Sequence, residues 1–211
     1  MYDLGPQFDS ATVDPGTNLL ISGPPLTGKR RVTFELLATG AGAGEGSVVI
    51  TTRDSADRVV ADYRSLLTDP DAAEIGIVDC VTRHQGRSPS DTTTVKYTSS
   101  PVDMTGIGIK FSEFVETFYT GRGIQQNRIA LDSLSTLLMY SDLQTVFRFV
   151  HVLTNRIEDA EALGIHVIES TAHDDEAMNT LKQLFDGVIE LDGDSEMSVQ
   201  LPDADPGVVG P

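Results

Sequence analysis

The sequence predicts an α/β fold, with a mostly parallel central sheet flanked by helices and a C-terminal β-hairpin. Three observations predict it. Short apolar runs alternate with stretches whose apolar residues recur at helical spacing. The first such run passes through a glycine-bearing loop straight into a helical pattern. The last two runs lie close together across a Gly/Asp turn, with no helix-length segment between them.

Residues 1–16 are polar, punctuated by Gly and Pro, and read as a lead-in. Leu19–Ile21 is the first buried strand. Gly23-Pro24-Pro25-Leu26-Thr27-Gly28-Lys29 then has the G-x-x-x-x-G-K spacing of a phosphate-binding loop. Gly23 and Gly28 are expected to let the backbone curl so that successive N–H groups face an anion. Lys29 brings charge to the outer phosphates, and the helix carrying Val32, Phe34, Leu36 and Leu37 offers its positive end.

The Gly/Ala-rich run 40–46 reads as a flexible connection. Ser47–Thr52 is a second strand, and Ser55 is placed to cap a helix over 56–67, with Val59, Val60, Tyr63, Leu66 and Leu67 on one face. Ile75–Cys80 is a third strand, closed by the chain's one cysteine as a small buried hydrophobe. Residues 82–103 break the rhythm as a polar excursion with Arg83, His84 and Arg87, and a short strand at 95–98. A helix over 105–120 (Ile107, Phe111, Phe114, Val115, Phe118) leads to the strand Arg128–Ser133. A long helix over 142–163 turns Leu143, Val146, Phe147, Val150, Leu153 and Ile157 to the core. Ile165–Ser170 is a strand, and a helix follows near 175–184. Val188–Leu191 and Met197–Leu201 form the hairpin across Asp192-Gly193-Asp194, and the acidic, Pro/Gly-rich tail 202–211 reads as flexible.

At 211 residues and 39% hydrophobic content, the chain carries one domain over 17–201 with its own core. Its 32 acidic against 15 basic residues give a net charge of −17 at pH 7. Acid spread along the whole chain suits a halophilic protein, because concentrated salt screens the self-repulsion, with an acidic partner-binding surface as the lesser reading. The same balance excludes nucleic acid as the main ligand, since phosphate backbones need basic stripes. A single cysteine excludes an intramolecular disulfide, and no Cys/His cluster has metal-ligand spacing. No apolar run approaches the ~20 residues of a membrane span, and no basic-then-apolar leader opens the chain. The expectation is a cytoplasmic protein without a membrane partner.

One position in the loop departs from its pattern. Ser or Thr follows the lysine in a phosphate loop and helps hold Mg²⁺, whereas Arg30 stands here. A guanidinium has no acceptor and cannot ligate a metal. Lys29, Arg30 and Arg31 also crowd the first turn of a helix, where the dipole disfavours cations, so a bound anion is expected to offset them. A nucleotide site also needs an acid at the tip of a neighbouring strand. Asp132 and Asp79 both end strands, and Asp132, followed by Ser133, is preferred.

Phosphate loop, Ile129-Ala130-Leu131-Asp132-Ser133-Leu134-Ser135-Thr136-Leu137-Leu138 and terminal hairpin, in that order and spacing, resemble the KaiC-type branch of the RecA-like P-loop ATPases over about 17–201. The resemblance implies a RecA-like fold with ATP or ADP at the C-terminal edge of the sheet. It implies a binding set of Gly23, Pro24, Pro25, Leu26, Thr27, Gly28, Lys29, Arg30, Arg31, Asp132 and Ser170, with Asp132 as the ligand where Mg²⁺ is bound. Ser170 and Thr171 fall where the family senses the terminal phosphate. The family's paired catalytic glutamates fall on Arg53 and Asp54, so Asp54 is the one carboxylate left to act on water. Its basic cluster after the hairpin is replaced by Pro202, Asp203 and Asp205.

Departures at Arg30, Arg53 and the acidic tail strike metal binding, water activation and neighbour contact. They imply a degenerate KaiC-like regulatory protein that binds ATP or ADP, hydrolyses weakly or not at all, and acts through a protein partner or a second copy of itself. Two enzymatic readings stay open. One is an active ATPase with Asp54 as base and Arg30 neutralising phosphate charge. The other is a small-molecule kinase with 82–103 as a lid carrying Arg83 and Arg87. A scaffold that binds nothing at the loop is the dullest alternative. A GTPase is disfavoured, because no Asn-Lys-x-Asp motif is present. His151 and His166 read as packing residues, and His173 lies near the expected phosphate edge.

Overall fold

Every strand in the middle of the sheet is an aliphatic run covered on both faces, the pattern that parallel pairing requires. The computed structural model describes residues 1–71, 73–192, 197–202 and 207–209, the last three by their backbone. A short hairpin of β1 (Tyr2–Asp3) and β2 (Thr12–Val13) comes first. Next are β3 (Asn18–Gly23), α1 (Lys29–Gly42), β4 (Gly46–Thr51), α2 (Ala56–Arg64), β5 (Ile75–Asp79) and β6 (Val95–Tyr97). Helix α3 (Met104–Glu116) runs on into a π turn, Thr117–Gly121, ahead of β7 (Asn127–Asp132). Then come α4 (Leu134–Tyr140), α5 (Leu143–Asp159), β8 (Leu163–Glu169), α6 (Asp175–Lys182), β9 (Gly187–Leu191), β10 (Met197–Gln200) and β11 (Gly207–Val209).

Among the described residues the main sheet has nine strands in the order β11-β10-β9-β3-β8-β7-β4-β5-β6. From β9 to β6 all neighbours are parallel, while β10 and β11 join antiparallel. The α/β fold with a mostly parallel sheet and a C-terminal hairpin is therefore present as expected. Period-2 alternation divides each strand between two cores. Val49 of β4 joins Leu19, Ile21 and Ile165 under Phe34, Leu37 and Tyr63. Its neighbours Val48 and Ile50 face the opposite way, onto Phe111, Phe114, Val150 and Ile157.

Several segments differ from the sequence reading, each for a packing reason. Tyr2, Leu4, Phe8 and Val13 of the lead-in are buried in the first core. The fully buried Arg128 fastens that hairpin, donating to Asp3 O at 2.8 Å, Leu36 O at 2.8 Å and the Glu45 carboxylate at 2.6 Å. Helix α1 runs through Gly40 and Gly42 instead of ending in a flexible glycine run. Gly40 is buried beside Arg128, whose Nε would lie 2.4 Å from a Cβ there. The helix read over 142–163 starts at Leu143, capped by Asp142, and stops at Asp159, with α4 as a separate short helix before it. Ser55 sits at the cap position of α2 but its hydroxyl makes no capping bond; the Ala56 N–H goes to Asp79 Oδ2 at 2.8 Å. Asp79 is thus a structural strand-end acid.

Within the segment read as a tail, Gly207–Val209 pairs with β10. The turn residues Gly193 and Asp194, and Asp203 and Asp205, lie outside the described residues. Burial pushes the Cys80 thiol up to about 12, which leaves it an inert hydrophobe. His166 packs in the interior against Phe185 and bonds Asn18 Oδ1 at 3.1 Å, whereas His151 is exposed on α5 beside Phe147. No described helix is long and apolar enough to cross a membrane.

Candidate functional site

Four neighbouring strands, β3, β8, β7 and β4, end at one edge of the sheet because they are parallel. That alignment gathers side chains far apart in sequence. The loop after β3 brings Lys29 and Arg30, β8 ends in Glu169, β7 ends in Asp132, and Arg53 and Asp54 follow β4.

The loop takes the shape its spacing demands, with one change of role. Gly28 has φ 88° and turns the chain into α1. Gly23 is not left-handed; it is needed because a Cβ there would lie 2.4 Å from Leu191 O on β9. Leu26, at the tip, is fully exposed at φ 66°. Thr27 Oγ1 donates to Pro24 O at 2.9 Å and braces the loop. Lys29 is 4% exposed, and its ammonium reaches Gly23 O and Glu169 Oε2, both at 2.8 Å, as well as Pro24 O.

Arg30 lies at the centre of the carboxylates. Its Nη1 donates to Asp54 Oδ2 at 2.6 Å and to Asp132 Oδ2 at 3.1 Å, and its Nε to Asp62 Oδ2 at 3.1 Å. The guanidinium stacks over Phe34 at 4.8 Å from the ring centre. Arg53 adds bonds to Asp54 Oδ2 at 3.3 Å and Asp132 Oδ2 at 3.4 Å, and an ion pair to Glu169 at 3.8 Å. Arg58 pairs with Asp54 at 3.6 Å from the next turn of α2. Burial pushes the Asp132 carboxyl above the ordinary carboxylate value, while Arg53 and Arg30 oppose that rise. Thr52 holds the end of β7 in place: its hydroxyl bonds both the Ser133 N–H and the Ser133 carbonyl.

Beside this cluster opens a cleft of about 570 Å³, lined by residues 26–31 of the loop and helix start, Phe34, Arg53, Asp62, Leu66 and Glu169. The donors present do not fit Mg²⁺, which asks for a near-octahedral set of oxygens. A guanidinium replaces the loop hydroxyl, and Asp54 Oδ2 and Asp132 Oδ2 already accept from arginines. Asp132 Oδ1 is buried with no hydrogen-bond partner. Among the described residues no group of three or more His, Cys, Asp or Glu side chains could hold a metal ion.

Of the residues read from sequence, Gly23, Pro24, Thr27, Gly28, Lys29, Arg30, Asp54 and Asp132 come together here. Arg31 ion-pairs with Glu35 one turn along the helix at 2.7 Å. Ser170 opens a short 3-10 turn and faces a different recess, with Ser22, Gly23, Pro24 and Leu191. His173 bonds Ser135 Oγ at 2.8 Å, and burial lowers its pKa. The excursion 82–103 is held by Arg83, which donates to Tyr97 O at 2.8 Å and to Pro89 O and Asp91 at 3.1 Å. Sequence reasoning missed Glu169. The signal was present, since Glu169 ends a strand just as Asp132 does.

A protein family described as a family of unknown function, DUF7504, matches residues 16–191, which carry the loop, all four strand ends and the cleft. The chain belongs to this family. No curated protein matches it in sequence. Among solved structures, this DUF7504 member is similar to the KaiC-like protein PH0186 from the hyperthermophilic archaeon Pyrococcus horikoshii OT3, at 14% identity and a TM-score of 0.63. The likeness covers 95% of this chain and 85% of that one. The DUF7504 member thus has the RecA-like fold. In all 590 solved chains match, so the architecture is common and assigns no activity by itself.

Proposed function

We propose that this protein is a nucleotide-binding regulatory protein that takes ATP or ADP at the 23–29 loop and hydrolyses it weakly or not at all. The observation that carries the reading is the position of Arg30 and Arg53 across Asp54 and Asp132. Hydrolysis asks for a carboxylate free to orient or deprotonate water and for a metal at the outer phosphates. Here Asp54 accepts from two arginines and Asp132 from the same two. The binding half is intact by contrast: a braced loop, a left-handed Gly28, a buried Lys29 and a 14-residue helix starting beneath them.

An active ATPase using Asp54 as base would have to free that carboxylate from Arg30 at 2.6 Å. A kinase lid at 82–103 would need Arg83, which the excursion's own carbonyls hold. Occupancy is read by a protein partner or a second copy, through differential affinity for two states of the domain. The exposed Leu26 at the loop tip is a surface on which such a partner would sense the ligand. Phosphate release with ATP is expected to stay below about one turnover per minute, with or without Mg²⁺. Faster release that vanishes in Lys29→Ala and Asp54→Asn would overturn the regulatory reading in favour of an enzyme.

A further inference from the structure

Arg30, Arg53 and Lys29 place three cations beside the loop, each paired with carboxylates of the chain itself. We infer that the site takes the polyphosphate as its metal-free anion, with the Arg30 guanidinium standing in place of the divalent cation. The inference rests on the nucleotide reading above and deepens it.

Each carboxylate in the cluster is matched by a cation. Glu169 faces Lys29, Asp132 and Asp54 share Arg30 and Arg53, and Asp62 meets Arg30 and Arg58. A divalent ion entering here would have to displace guanidiniums from carboxylates they touch at 2.6–3.4 Å. It would then lie against the same arginines, and like charges repel strongly in a partly buried site. A bare polyphosphate would take the place of those carboxylates on the cations, against repulsion from Glu169 and Asp62 at the cleft wall. It offers acceptors to cations, and one Arg30 nitrogen makes no hydrogen bond: the buried Nη2 holds Asp62 Oδ2 only as an ion pair at 3.1 Å. Arg30 itself lines the cleft beside Lys29 and Gly28. The entering anion competes for the Lys29 ammonium with Glu169 and with the Gly23 and Pro24 carbonyls. A metal-complexed nucleotide has already given two of its charges to the metal and gains less from the three cations.

Calorimetric titration with ATP tests this, in EDTA and in excess Mg²⁺, at matched ionic strength. The wild-type protein is expected to bind ATP in EDTA and to bind it roughly tenfold more weakly when Mg²⁺ is present. Arg30→Thr supplies the loop hydroxyl and removes the Arg30 bonds to Asp54 and Asp132, leaving Arg53 as the guanidinium on both, so its preference should shift towards the Mg²⁺ complex. Arg30→Lys keeps the charge and should keep the preference for free ATP, a second reading if the threonine variant does not fold. Tighter wild-type binding with Mg²⁺ overturns the metal-free assignment and leaves the nucleotide reading standing. Absence of binding in both buffers overturns both.

Discussion

Lys29 and Glu169 touch at 2.8 Å across 140 positions of sequence, and the ligand must part them. Removing the Glu169 charge while keeping its shape should therefore tighten nucleotide binding. Glu169→Gln is expected to lower the dissociation constant for ATP by about tenfold, since a part-buried charged contact is worth about 1.5–3 kcal/mol and only some of it is recovered. Equal affinity in the two proteins would show that Glu169 does not compete for the lysine. The residue scale also marks where sequence reading stops. Gly28, Lys29 and Asp132 were legible because their meaning lies in local spacing or at a strand tip. Glu169 was not singled out, because its partner is fixed only once β8 lies beside β3. Arg30 was legible as a broken letter, yet its three carboxylate partners come from α2, β7 and the turn after β4.

At the scale of elements, strands and their order of appearance follow from apolar periodicity, whereas boundaries follow from contacts the periodicity does not contain. Helix α1 outlasts its glycines because Gly40 leaves room for Arg128. That arginine joins β7, α1, Glu45 and the N-terminal hairpin. Arg128→Ala strands Glu45 as a buried, unpaired charge and should lower unfolding free energy by about 3–5 kcal/mol in a denaturant titration. A loss under about 1 kcal/mol would mean the hairpin is not held by it.

His166, on β8, gives the pH dependence of the same layer. Burial pushes its pKa down to about 3, against an ordinary 6.5. Between those values the unfolded chain binds a proton that the native one refuses, so stability rises with pH there and is lost as pH falls from about 6.5 towards 3. The slope for one proton is about 1.4 kcal/mol per pH unit. His166→Gln should flatten that limb when unfolding is compared at pH 7 and pH 5. An unchanged slope would place the acid sensitivity elsewhere.

Over the whole molecule, charge and topology act separately. The parallel edge that assembles the site is set by strand order, and a shared architecture does not by itself carry a function. The net charge of −17 governs the surface instead, where repulsion between acids is screened by salt. Melting temperature should climb as potassium chloride is raised from about 0.1 M, with a Debye length of ~10 Å, to the molar range. A flat or falling curve would remove the salt-adapted reading. The lead-in was the least legible part, because Tyr2, Leu4 and Phe8 lie among Asp, Gly and Pro, in or beside elements only two or three residues long.

Thermal melting with ATP in the absence of added metal, for wild type and Lys29→Ala, bears most directly on the account. At a hundred times the dissociation constant the wild-type protein should gain about 2.7 kcal/mol and melt visibly higher, while Lys29→Ala stays unmoved. Identical curves with and without ATP in the wild-type protein would contradict the account at its root.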